Sequence, residues 1–385
     1  MALLIDVSPL CEHHTDAALE LIYKAAASEP PDDADLWALH PSPLVRRIVE
    51  LFTQRGLRRI AGLQNELRKW LAGDMAVASH ERRGRPPGQM ERWTRQELGI
   101  VKLYLETLPP AEFTLDDWML LADYLAQRYL PPDDLRTEAE WLATRSAIMG
   151  RVQASLGEVT EEQADRLLQA MPRDLAGAKA SVGLTLAQHA ALQYGNARCA
   201  ENVVALSDAT RHRLRRLIMD YAEAQFLGDR AVMASSLQTK LLDTFGTLNR
   251  DWRRIAVTEA TENLNQGMVA AQQPGTRLKR IEQYRGACTF CRAIDGRVME
   301  VIPASEPEKD GTTQIWTGKN NIGRSAAPRR RVGNSLIDRE PHEMWWVASG
   351  AQHPNCRGRW VPVTEPSRKA DPKFSAWMDE ALGRN

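Results

Sequence analysis

A chain of 385 residues has room for two or three domains, each able to bury a core of its own, so core size sets no limit on the fold. Fifty Lys and Arg balance fifty Asp and Glu, which excludes a net field that would draw the whole molecule to nucleic acid or anionic lipid. Nowhere do eighteen apolar residues run together, and the start at Met1 has no basic leader, so the expectation is a soluble protein of a reducing cytoplasm with no membrane partner.

From about residue 14 to residue 272, apolar side chains recur every three or four positions, and a mainly α-helical body is predicted. In the N-terminal helical region, 1–180, Pro30-Pro31, Pro86-Pro87, Pro109-Pro110 and Pro131-Pro132 cut the pattern into short blocks. Ser42-Pro43 starts one helix, because Pro suits the first helical position and Ser can cap the free amides ahead of it. Gly56 and Gly62 are expected to bend or split that helix. The strings Thr114-Leu-Asp-Asp117 and Thr160-Glu-Glu-Gln163 have capping-box form and place two further starts. Trp37, Trp70, Trp93, Trp118 and Trp141 fall one to a block, a pattern that reads as packing. Residues 181–275 then form a long helical hairpin, with tracts near 184–226 and 230–272 joined at Gly228-Asp229.

After Gln273-Pro274-Gly275 the texture changes to a small α+β module over 276–365. Its β-capable segments are 277–284, 297–302 and 360–363, and Trp316, Trp345, Trp346 and Trp360 are expected to supply its core. Residues 303–343, poor in large aliphatics, read as a long loop or arm, and 366–385 as a C-terminal tail.

The chemistry gathers in this module. Cys288-Thr-Phe-Cys291 is answered by His353-Pro-Asn-Cys356, and each pair is spaced so that one tight turn can present both donors to an ion. Four protein ligands would leave no open position for water, so the expected group is a structural zinc that staples two distant segments; the alternative is four small side chains in metal-free turns. His342 is a substitute ligand in the arm, while Cys11 and Cys199 read as ordinary thiols.

The stretch from Arg254 to Thr258-Glu259, then Asn263 and Gly267, then Cys288 to Cys291 with Asp295-Gly296, and finally His353 to Cys356-Arg357, resembles the phage Mu F-like minor head proteins, also called phage head morphogenesis proteins. The resemblance covers about residues 250–363. It departs from the family pattern at Gly350-Ala351-Gln352, where two prolines are common, and at Gly358, where a further Cys is common. It implies a virion component made in the host cytoplasm, acting in head assembly near the portal vertex, with the portal or major capsid protein as partner. Some such proteins touch packaged double-stranded DNA. A pairing of Glu259 with Arg357 is expected to lock the helical hairpin to the module.

Basic clusters are the other constellation. Between Arg46 and Lys102, thirteen Lys or Arg face six Asp or Glu. Arg82, Arg83 and Arg85 in this stretch, and Arg329, Arg330 and Arg331 in the arm, are candidate phosphate contacts, as are the arginines of 211–216; solvated helix faces are the plainer alternative. This leaves a zinc-stapled DNA-binding protein at the genome end as a rival. No phosphate-cradling Gly-x-x-x-x-Gly-Lys, Gly-x-Ser-x-Gly elbow or His-Glu-x-x-His occurs, so no catalysis is expected. A metal-dependent nuclease, the enzymatic rival, would need a second His or Asn set that does not follow Cys356.

Overall fold

The computed structural model describes residues 33–75, 93–226, 230–363 and 371–384; Cys11, Arg82, Arg83, Arg85 and the Gly228-Asp229 joint lie outside them. The chain is mainly helical, with small sheets in its C-terminal part. It divides into two compact units, one made of Met1–Phe52, Ala139–Cys199 and Arg253–Asn385, the other of Thr53–Glu138 and Ala200–Trp252. The helices in chain order are α1 (Asp33–Trp37), α2 (Pro43–Ala72), α3 (Arg95–Leu105), α4 (Leu115–Tyr129), α5 (Pro132–Leu156), α6 (Glu161–Ala170), α7 (Leu175–Ser181), α8 (Leu186–Phe226), α9 (Arg230–Ala270), α10 (Thr289–Ile294) and α11 (Pro372–Leu382). Both expected capping boxes form, at Thr114 with Asp117 and at Thr160 with Gln163, and Thr94 with Glu97 makes a third.

The second unit explains why α2 is not split. A Cβ at Gly56 would lie 2.0 Å from the Trp252 ring, and one at Gly62 would lie 2.6 Å from the Tyr129 ring. These glycines admit aromatic rings against an unbroken helix rather than bending it. Trp70, Phe113, Trp118 and Tyr221 form a chain of ring contacts with centroids 5.0–5.7 Å apart. Trp70, Trp93, Trp118 and Trp141 are buried as expected, but Trp37 is 41% exposed.

In the first unit, α5 and α9 cross at two glycines. A Cβ at Gly150 would meet the Leu264 carbonyl oxygen at 2.0 Å, and one at Gly267 would meet the Ala147 carbonyl oxygen at 2.1 Å. Beside them lies a four-stranded sheet of β1 (Arg277–Ile281), β2 (Val298–Val301), β3 (Gln314–Ile315) and β6 (Arg359–Pro362), in the order β3-β2-β1-β6. Strand β1 is antiparallel to β2 and β6, with Leu278 opposite both Met299 and Pro362; β2 and β3 are parallel. Leu278, Ile294, Met299, Val301, Ile315, Val347 and Trp360 pack with Ala154 of α5 and with Met268 and Val269 of α9.

The 303–343 segment departs from a structureless arm. It supplies β3, a separate antiparallel hairpin of β4 (Arg329–Val332) and β5 (Ser335–Asp338), and a 3₁₀ turn at Pro341–Glu343. Polar bonds and indole rings replace the missing aliphatics. Lys319, 1% exposed, donates to the carbonyls of Gly311 and Gln314 at 2.8 and 2.9 Å. Its ammonium lies 4.9 and 4.8 Å from the Trp316 and Trp346 ring centroids. Burial, helped by the Arg297 charge, lowers its pKa to about 7. Asn321 donates to Trp346 and Gln352 carbonyls. The tail, too, contains structure: α11 is capped by Asp371 and ends at Gly383 in the left-handed region, φ 67°.

Candidate metal centre

The first donor turn is a helix start. Cys288 is the N-cap of α10, and its sulfur accepts the Cys291 amide at 3.4 Å, which turns the two thiols to one side. The second is a tight turn in which the Cys356 amide donates to the His353 carbonyl and Asn355 takes a φ of 66°. Asn tolerates that left-handed conformation better than most residues.

The turns meet. His353 Nε2 lies 3.1 Å from the sulfurs of both Cys288 and Cys291. Two sulfurs, Cys291 and Cys356, lie within 4.8 Å of each other, and the Glu282 carboxylate lies within 4.8 Å of both. Cys288, Cys291, Cys356 and His353 thus form a largely buried cluster that can hold a metal ion.

The donor set fits zinc. His353 Nδ1 is 2.8 Å from the Pro354 carbonyl, so this nitrogen carries the proton in the neutral ring and Nε2 is left to bind. The Nε2-to-sulfur separation of 3.1 Å is about half an ångström inside the ~3.6 Å expected of a nitrogen and a sulfur on one zinc, a small opening for two turns. The ring is held flat against Trp345, with centroids 5.9 Å apart and planes 13° from parallel. Without an ion the cluster shares protons unevenly. Hydrogen bonds from Cys291 and His353 hold the Cys288 thiol down at about 3, while Cys291 is pushed up by its bonds to Cys288 and Cys356. Burial lowers the His353 pKa, but the Cys288 bond and the nearby thiolate charge outweigh it and raise it to about 9. Metal binding here must therefore release protons.

Two charged residues missed in the sequence sit against Cys356. Arg280 and Glu282 have fully buried side chains, joined at 2.7 Å. Arg280 also reaches the Cys356 sulfur at 3.5 Å and the Gly350 carbonyl at 3.2 Å. Burial pushes the Glu282 carboxyl up to about 7 against the pull of the Arg280 charge. A Cβ at position 358 would be 2.1 Å from this carboxylate, so Gly358 makes room for Glu282. The available signal was period two along β1, which turns Leu278 and Arg280 to the same side.

The lock between α9 and the module exists, but the Glu259–Arg357 pair does not make it. Glu259 accepts from Arg198 of α8 at 3.0 Å, and Arg198 also binds Glu262 at 3.0 Å, because residues three apart share one helix face. Arg357 instead donates to the carbonyls of Asp35 and Leu36 at 2.7 and 3.0 Å and to that of Arg285. Other α9 side chains hold the module. Thr258 Oγ1 accepts the Asn355 amide at 2.7 Å, and Glu262 accepts the Ala351 amide at 2.6 Å. Asn265 binds the Gly358 carbonyl at 2.8 Å and the Trp360 amide at 3.2 Å.

Much of the basic charge is paired. Arg46, Arg55 and Arg59 meet Glu161 or Glu138, and within 211–216 Arg213 meets Asp251 and Arg215 meets Asp123. On the hairpin, Arg329 meets Asp338 at 2.8 Å and Arg330 meets Glu343 at 3.4 Å, whereas Arg331 is exposed and has no ion pair among the described residues. His342 is exposed in its 3₁₀ turn, away from any described donor cluster. No helix among the described residues is long and apolar enough to cross a membrane. Compared with family models, curated proteins and solved structures, the chain matches none.

Proposed function

We propose that the chain is a minor head protein of a tailed phage, acting in head assembly near the portal vertex through contacts with the portal, the major capsid protein or both, without catalysis. The supporting observation is that the motifs carrying the resemblance meet in one place. The Thr258 helix clasps the His353–Cys356 turn, which in turn meets the Cys288–Cys291 turn at the cluster. In this reading Cys288, Cys291, His353 and Cys356 hold one structural zinc. The ion, when bound, would cross-link residues 62–68 positions apart in the sequence. A closed set of four ligands suits a rigid docking module rather than hydrolysis. Arg331 is the hairpin residue best placed to meet packaged DNA.

Mass spectrometry of purified particles from the encoding phage tests the reading, together with disruption of the gene. The chain is expected in a few copies in the head fraction, and disruption is expected to stop the yield of filled heads. Absence from particles combined with normal yield would refute it.

A further inference from the structure

The donors around Cys291 form two overlapping triads. One is Cys288, Cys291 and His353; the other is Glu282, Cys291 and Cys356, and within each the ligand atoms lie within 4.8 Å of one another. Either separation allows three bonds to one ion, so by donors alone a second ion could sit at Glu282, sharing the Cys291 and Cys356 sulfurs with the first. The second triad, however, already has a cation. Arg280 binds two of its three donors, Glu282 at 2.7 Å and Cys356 at 3.5 Å, and is fixed by Gly350 and by Trp360, whose ring centroid is 5.2 Å away.

We propose that Arg280 is the internal counter-ion that restricts the cluster to a single metal ion, occupying by its charge the role of a second ion at Glu282 and Cys356. The inference rests on the zinc staple proposed above. A guanidinium cannot be deprotonated in practice, so it keeps one positive charge against the pair permanently, and a dication brought there would meet a like charge at a place closed to solvent. Arg280 is also why Glu282 is tolerated without any solvent exposure, since a buried carboxylate needs a partner. Remove the guanidinium and the second triad becomes two soft sulfurs and a hard oxygen with no cation, a set that zinc accepts.

The full chain, stripped of metal and titrated with zinc or cobalt(II) under reducing conditions, gives the stoichiometry by elemental analysis and by the break in the cobalt thiolate absorption. Wild type is expected to saturate at one equivalent, Arg280→Met at two, and both Arg280→Lys and the double variant Arg280→Met/Glu282→Gln at one. If Arg280→Met does not fold, Arg280→Gln, neutral and polar, is read in the same way. Wild type taking no metal would overturn the zinc staple and this proposal together. Wild type taking one equivalent while the folded neutral variants also stop at one would overturn this proposal alone.

Discussion

The crossing of α5 and α9 gives one substitution opposite signs at different sites. Alanine at 267 would place its Cβ 2.1 Å from the Ala147 carbonyl oxygen, 2.8 Å from its carbonyl carbon and 2.9 Å from its Cα. All three are backbone atoms, so no side chain can rotate away. Ordinary contact begins near 3.4 Å, and the helices must part by about 1.3 Å to reach it. The surroundings resist this, since Ile148, Leu264 and Met268 are all buried at the crossing. Overpacking of this kind costs ~1–3 kcal/mol, and a backbone clash belongs at the upper end. The better helix propensity of Ala returns no more than ~1 kcal/mol, so Gly267→Ala is expected to destabilise the first unit by about 2 kcal/mol. Gly99 in α3 and Gly246 in α9 have nothing within 4 Å of an added Cβ, and there the same change should stabilise by ~0.5–1 kcal/mol. Urea unfolding followed by circular dichroism reads the sign as a shift in midpoint at unchanged slope. A Gly267→Ala midpoint equal to or above that of wild type would refute the argument.

Three further outcomes follow from the site and its surroundings. A chelator should lower the thermal midpoint of the zinc-loaded wild type and leave Cys291→Ser, which loses the sulfur common to both triads, unmoved, because only a bound ion adds its binding energy to folding. Thr258→Val, which strips the acceptor from the Asn355 amide, should cost ~1–3 kcal/mol, while Thr258→Ser should restore most of it in the same denaturation assay. Buried His40, donating to Thr261 and accepting from Ser42, is lowered from 6.5 to about 3 by burial and then by the Arg357 charge. Between those values the unfolded chain binds a proton that the folded one does not. Stability should therefore fall as pH drops below 6.5, by up to about 1.4 kcal/mol per pH unit. His40→Gln should flatten that slope in urea midpoints taken from pH 7 to pH 4, and an unchanged slope would remove His40 as the cause.

The local chemistry was legible in the sequence. Capping boxes at Thr114 and Thr160, the proline at the start of α2 and the Cys and His spacings depend on neighbours a few residues away, and each appears where its pattern placed it. What could not be read depends on partners distant in the chain. Gly56 and Gly62 look like helix breakers until Trp252 and Tyr129 are set against them. Glu259 and Arg357 carry opposite charges and belong to neighbouring motifs, yet Arg198 and the carbonyls of α1 satisfy them first. The 303–343 segment lacks the aliphatic periodicity that marks regular elements, because its order comes from indole rings around one ammonium and from side-chain bonds to main-chain carbonyls.

Arg357 ties the order of synthesis to the order of folding. Its bonds to the carbonyls of Asp35 and Leu36 span 322 and 321 positions. At roughly 5–20 residues per second, the ribosome takes about 15–65 s to add that much chain after Leu36. Until Arg357 emerges, these α1 carbonyls lack the guanidinium that holds them in the finished protein. The first unit can complete this closure only after Arg357 has been made, by which time both segments of the second unit, the later ending at Trp252, already exist.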